Sequence, residues 1–141
     1  AEKEIVVDQT IQVSYGPLQN ADTEAEIKRR EKMVKDTFEA FTRFQDYGVK
    51  FVAGSDAGYT MTPFGEIRLG LRLMVENGMT EVEALKTATS FAAEVLQVED
   101  RVGALEENKK ADFIVTDGDP LDDITALGDL TAVYLGGDRV G

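Results

Sequence analysis

The sequence predicts an α/β chain in which parallel strands alternate with helices and then give way to closely spaced short strands. Three observations predict it. Val49–Ala53, an apolar run between Gly48 and Gly54, has the composition of a buried parallel strand. Glu24–Tyr47 carries apolar residues at helical spacing and follows the strand-like run Glu4–Asp8, so the order is strand, helix, strand with a crossover long enough for parallel pairing. Beyond Asp100 the long helical patterns stop, and Val102–Leu105, Asp112–Thr116 and Thr131–Leu135 follow at short intervals.

Taken in order, Glu4–Asp8 is a first strand, and Ile11–Asp22, with Gly16-Pro17 and Asn20, is expected to be a loop. Thr23-Glu24-Ala25-Glu26 has the form of a capping box and opens a helix. Its apolar stripe is Ile27, Val34, Phe38, Phe41 and Phe44, opposed by Lys28, Arg29, Lys32, Lys35 and Glu39, and Gly48 stands where a left-handed terminating residue belongs. After the Val49–Ala53 strand, Thr62-Pro63 offers an N-cap followed by proline at the first helical position. The second helix is expected to run to about Glu76, with Ile67, Leu71, Met74 and Val75 inward, and to end at Asn77-Gly78. Thr80-Glu81-Val82-Glu83 is a further capping box, for a third helix reaching Leu96. Val102–Leu105 and Asp112–Thr116, joined by Glu106–Lys110, read as a hairpin. Asp117-Gly118-Asp119-Pro120 reads as a turn, and Thr131–Leu135 as a last strand. The change of character places a boundary near residue 100, between residues 1–99 and 100–141.

Composition narrows the chemistry. The 141 residues carry 27 acidic and 15 basic side chains, a net charge of −12, which opposes binding to nucleic acid or to an anionic membrane surface. No apolar run has the length of a membrane span and the opening Ala1-Glu2-Lys3-Glu4 is not a secretory signal, so the expected setting is soluble and cytoplasmic, which the lack of cysteine suits. There is no histidine, the commonest metal ligand and general base, so catalysis by this chain would rest on carboxylates, lysines, hydroxyls and backbone groups.

The candidate site is Gly54-Ser55-Asp56-Ala57-Gly58, where a strand stops and one carboxylate stands between two glycines. In parallel α/β proteins ligands sit beyond the carboxyl ends of the strands, so Asp56 is the first candidate for chemistry. The alternative is that it only shapes a turn. Asp117, Asp119, Asp122 and Asp123 invite a calcium reading, but an EF-hand begun at Asp117 would need an oxygen donor at Leu121, glycine at Asp122 and glutamate at Gly128, so a solvated turn is the expectation. Gly54 and Gly58 are not followed by the Lys-Ser/Thr of a phosphate loop, and Ser55 has no histidine for a hydrolase triad.

The succession G-V-K-F-V-A-G-S-D-A-G, T-P-F-G-E, E-N-G-M-T-E-V-E-A-L-K-T-A-T-S-F-A-A-E-V-L and D-R-V-G-A-L-E-E-N-K-K-A-D-F-I-V-T-D-G-D-P-L-D-D-I resembles the carboxy-terminal part of the metal-dependent amidohydrolase superfamily. The likeness is to the imidazolonepropionase-like and Xaa-Pro dipeptidase-like branch and covers about residues 48–140. It implies the last two β/α units of a (β/α)8 barrel over residues 1–99, and β-sandwich strands over 100–141. It further implies hydrolysis of a C–N bond by metal-activated water, with zinc as the expected divalent metal. By resemblance Asp56 is a metal ligand and exchanges a proton with the attacking water, and Tyr59 and Phe64 line the substrate pocket. The related T-P-H-G pattern has histidine where this chain has Phe64, so an imidazole contact does not carry over.

The family's remaining metal ligands, a His-x-His pair, often a carboxylated lysine, and two further histidines, have no counterpart in a chain without histidine. The chain also opens without methionine directly before Ile5-Val6-Val7. It is therefore expected to be a fragment, inactive alone and holding no stoichiometric metal, whose partners are the remainder of the barrel and a small amide or peptide-like substrate. A homo-oligomer is left open. Two other readings stand beside it: a non-catalytic structural module derived from the family, and an aspartyl-phosphate α/β domain using Asp56 as acceptor, against which no second acidic residue adjoins Asp56.

Overall fold

The computed structural model describes residues 5–15, 23–58 and 62–141, which fall into two compact units, residues 1–78 and 79–141. Most of the loop expected before Thr23, and the residues Tyr59, Thr60 and Met61, lie outside the described residues. The compact division falls at Gly78, whereas the change from long helices to strands falls near residue 100.

The first unit is the expected strand, helix, strand. β1 (Val6–Gln9) pairs in parallel with β2 (Lys50–Ala53), with Val7 opposite Phe51 and Gln9 opposite Ala53. Between them lies the helix announced by the Thr23 cap, whose Oγ1 accepts from the Glu26 amide at 3.2 Å. The loop expected from Ile11 instead begins with a short helix, α1 (Gln12–Tyr15), and the long helix is α2 (Glu24–Asp46). The α1 turn closes where Ile11 and Gln12 are both buried, so tertiary burial supports a helical turn too short to be stable alone. Of the α2 stripe, Val34 and Phe41 are buried, while Ile27 and Phe44 stay exposed. Phe41 packs on Phe51 of β2 with ring centroids 4.8 Å apart and tilted by 47°. Burying two such rings contributes about 1.5–3 kcal/mol each, so this pair anchors the crossover to the sheet.

The second helix starts later than Thr62-Pro63 suggests. α3 spans Ile67–Glu76, its N-cap is Glu66, and no side chain caps it. Gly65 has φ +92°, a left-handed link that stops helical geometry from extending back to Pro63. Thr62 is instead buried, and its carbonyl accepts from the Gly58 amide at 3.1 Å, closing the loop after β2. Leu71, Leu73 and Met74 face the core with Ile11, Phe41 and Phe51.

In the second unit the Thr80 capping box forms in both directions: Thr80 Oγ1 accepts from the Glu83 amide, and Glu83 Oε2 accepts from the Thr80 amide at 2.8 Å. The expected single helix breaks into α4 (Glu81–Thr87) and α5 (Ser90–Val95). In Thr87-Ala88-Thr89-Ser90, Thr87 Oγ1 donates to the Ala84 carbonyl at 2.6 Å and Thr89 Oγ1 to the Leu85 carbonyl at 2.7 Å. These hydroxyls compete for helical acceptors, and the chain leaves helical geometry at Thr89. Val102–Leu105 is not a strand and the expected hairpin does not form. Gly103, at φ +93°, interrupts the extended run and lies so close to α5 that a Cβ there would meet Ala93 Cβ at 2.6 Å. Its intended partner, β3 (Phe113–Thr116), pairs antiparallel with β4 (Leu130–Leu135) instead, where Phe113 and Tyr134 stack at 4.5 Å. β4 then turns through Gly136-Gly137, both at positive φ, into β5 (Asp138–Arg139), the two-residue loop that suits the twist of a hairpin. A 3-10 helix, Ile124–Gly128, links β3 to β4. No helix among the described residues is long and apolar enough to cross a membrane.

Thr80→Ala is expected to lower stability by about 1 kcal/mol at neutral pH, the usual loss on removing such a cap. The Thr80 backbone amide, and then its hydroxyl, hold the Glu83 carboxyl below its ordinary range. A depressed folded pKa stabilises above the unfolded value and ceases to do so as pH falls through the folded one. Thermal denaturation of the native chain and the variant, from about pH 7 to about pH 3, should therefore show their difference narrowing in acid.

Candidate active site at the carboxyl end of β2

The site forms where two parallel strands stop side by side. The Gly54 amide donates to the Gln9 carbonyl at 3.0 Å, continuing the β1–β2 ladder one step past Ala53 and bringing the two strand ends level. Asp56 follows, exposed, with φ +47°. Left-handed geometry costs an L-residue roughly 1–2 kcal/mol, less for aspartate than for bulkier side chains. The other described non-glycine residues at positive φ, Gln97 and Asn108, lie just after a helix and in a surface turn, whereas Asp56 lies at a strand end. Asp56 thus both shapes a turn and presents a carboxylate.

Gln12, in α1, reaches the backbone just before Asp56. Only 1% exposed, it donates both hydrogens of its carboxamide, to the Gly54 carbonyl at 2.9 Å and the Ser55 carbonyl at 3.0 Å. Two acceptors in reach of one atom fix that atom as Nε2, so the amide cannot be turned over. Its Oε1 is buried without a partner and faces Gly70 of α3, where a Cβ would meet that oxygen at 2.7 Å. Gly70 is a mid-helix glycine, a choice that costs about 1 kcal/mol relative to alanine, and the Gln12 side chain is what occupies the space. On the far side of Asp56, Ser55 Oγ accepts from the Ala57 amide at 3.3 Å. Two donated hydrogen bonds contribute about 1–3 kcal/mol and an orphaned buried acceptor costs about as much. Gln12 therefore adds orientation more than net stability.

A second carboxylate shares the strand ends. Asp8, near the end of β1, lies against Gly54, whose added Cβ would collide with the Asp8 carboxylate. Sequence reasoning singled out neither Asp8 nor Gln12. The argument that found Asp56, a carboxylate at the carboxyl end of a parallel strand, applies equally to Asp8. Nothing local marks Gln12, whose role depends on residues 42 and 58 positions away. Phe64 is 84% exposed and sits beside Gly58, where an added Cβ would lie 3.7 Å from its ring. Tyr59 is outside the described residues.

The residues present do not complete a metal centre. No three His, Cys, Asp or Glu side chains among the described residues cluster closely enough to hold an ion. Asp56 is chemically suited to be one ligand of a larger set. Two of the second unit's clustered carboxylates are occupied by their own turns: Asp119 Oδ1 accepts from the Leu121 amide at 2.9 Å, and Asp123 Oδ1 accepts from the Thr125 hydroxyl and amide, which hold its pKa down. Two described grooves lie elsewhere, about 660 Å3 beside α2 over Val34 and Phe38, and about 600 Å3 in the second unit over Leu85, Ala92, Leu96 and Phe113. Neither of these two is lined by Asp56.

Comparison with known proteins identifies a family. The model of the Amidohydrolase family matches residues 4–140. An imidazolonepropionase from Erwinia tasmaniensis is 40% identical over 76 residues, 50% of this chain and 18% of that protein. Among solved structures, a Xaa-Pro dipeptidase with methionine bound in its active site superposes with a TM-score of 0.82 at 28% identity, over 96% of this chain and 34% of its own. The A. niger ochratoxinase gives 0.75 at 29% identity, over 98% of this chain and 32% of its own. The chain thus spans about a third of the length of these solved relatives.

Gly54→Ala should show how tightly the strand ends are packed. Gly54 lies outside the left-handed region, so alanine suits its backbone, and the nearest atoms its Cβ would meet are those of the Asp8 carboxylate. The substitution is expected to cost about 1–3 kcal/mol alone. In an Asp8→Ala background it should cost less than half as much, a coupling that chemical denaturation of the four proteins measures.

Proposed function

Since the chain belongs to the amidohydrolase family, in its imidazolonepropionase-like and prolidase-like branch, we propose that it is the carboxy-terminal part of a metal-dependent hydrolase that cleaves an amide, cyclic amide or peptide-like C–N bond. The observation that carries this reading is Asp56, exposed and left-handed at the carboxyl end of β2. On this reading residues 1–99 belong to the barrel and 100–141 to the sandwich. A two-stranded parallel sheet supports it, because parallel sheets are ordinarily wide and covered on both faces. Ile27, Met33 and Phe44 of α2, left 38–45% exposed, also suit a helix meant to be covered by further chain. A cytoplasmic location completes the reading.

A divalent metal, zinc by the family's pattern, would supply a bound water of lowered pKa. The other ligands come from the remainder of the polypeptide, so this chain alone is expected to be inactive and to hold no stoichiometric metal. Asp56 contributes one ligand oxygen, accepts the proton of the attacking water and returns it to the leaving nitrogen. Ser55, Ala57 and Gly58 shape the turn that presents it, and Phe64, with Tyr59, meets the substrate side chain. The substrate is a small amide or dipeptide-like molecule.

In the complete polypeptide, whose earlier part should carry a His-x-His pair, Asp56→Asn keeps size and a ligand oxygen but loses the proton acceptor. Turnover is expected to fall by at least about 10²-fold with little change in melting temperature. Asp119→Asn, in a surface turn, should leave turnover nearly unchanged. Steady-state kinetics on a panel of N-acyl amino acids and Xaa-Pro dipeptides checks both, and near-normal turnover in Asp56→Asn would refute the assignment.

A further inference from the structure

We propose that Gln12 is the positioning residue for Asp56: its buried carboxamide fixes the peptide plane from which the aspartate departs and so sets where the carboxylate stands. The inference rests on the reading of Asp56 as the working carboxylate. It is carried by geometry confined to the first unit. The φ angle of Asp56 is measured from the Ser55–Asp56 peptide, and the carbonyl of that peptide accepts from Gln12 Nε2 at 3.0 Å, with the preceding carbonyl held by the same nitrogen at 2.9 Å. Downstream, the Ala57 amide is held by Ser55 Oγ at 3.3 Å. Asp56 is therefore restrained on both sides of its own two torsions, while its side chain is left exposed.

Three features separate positioning from plain packing. Gln12 is 1% exposed, in a place where an apolar side chain would fill the same volume without leaving Oε1 unpartnered. α3 accommodates it with a glycine in mid-helix, at Gly70. The residue it restrains is at φ +47°, a conformation that persists only where the surroundings impose it. Gln12 touches neither substrate nor reacting atoms in this arrangement. It acts through the backbone of Asp56.

Gln12→Met tests this, because methionine has nearly the same length and shape but donates no hydrogen bond. In the 15N-labelled 141-residue chain, the Asp56 amide resonance and its HN–Hα coupling are expected to change, because the residue leaves its left-handed conformation. Resonances of the Phe41–Phe51 core should stay in place. In the complete hydrolase the same variant should lower kcat by about 10²-fold, the usual penalty for a small misplacement, with KM little changed. An unchanged Asp56 signature in Gln12→Met overturns the inference. A changed signature with normal turnover leaves the positioning intact and refutes instead the catalytic reading of Asp56. If Gln12→Met fails to fold, exchange of the native Gln12 carboxamide protons decides: strong protection supports the clamp, and exchange at the rate of an exposed glutamine overturns it.

Discussion

One buried carboxamide joins α1, the turn after β2 and α3 at a single point. Gln12 donates to the carbonyls of Gly54 and Ser55, turns its oxygen to Gly70, and is closed off from water. Each neighbour answers to it. Gly70 has no side chain because the amide lies there, and α1 forms a helical turn because that turn brings Gln12 and Ile11 inward together. The left-handed Asp56 is affordable because its flanking peptides are already held. In magnitude the two donated bonds and the orphaned oxygen nearly cancel, which makes the amide a device for direction rather than for stability.

The same economy of space recurs at the strand ends. Gly54 leaves room for the Asp8 carboxylate, and Gly58, at φ +101°, both turns the chain and lies under Phe64. The flanking glycines of G-S-D-A-G thus serve different purposes, one steric and one conformational. The result is a ledge at the carboxyl end of a parallel pair with two carboxylates and an exposed aromatic ring. This is the edge of the sheet on which α/β proteins place ligands.

Elements governed by local physics were legible in the sequence. The Thr23 and Thr80 caps, the left-handed Gly48, the β2 strand and its abrupt end at Gly54 all follow from residues within a few positions of one another. Elements decided by distant contacts, or by local hydroxyls that can bond within or outside a helix, were not. The short helix at Gln12 depends on burial, the break at Thr89 on hydroxyls competing for helical carbonyls, and the failure of Val102–Leu105 to pair on the approach of Gly103 to Ala93. In the site, Asp56 was visible because a lone carboxylate between glycines ends an apolar run. Gln12 was invisible because its partners are remote in sequence. The amidohydrolase motifs supplied what composition could not: a chain lacking histidine gives no sign by itself of metal chemistry.

Membership of the amidohydrolase family and the left-handed Asp56 at the strand end are the two findings on which the proposed role of that carboxylate rests. The most direct test is a crystal structure of the complete polypeptide with its divalent metal bound. The account predicts an Asp56 carboxylate oxygen at about 2.0–2.2 Å from the ion, a protein-ligand distance typical of zinc, with Asp56 still left-handed and Gln12 still on the Gly54 and Ser55 carbonyls. A metal held entirely by other residues, with the Asp56 carboxylate turned to solvent, would contradict it.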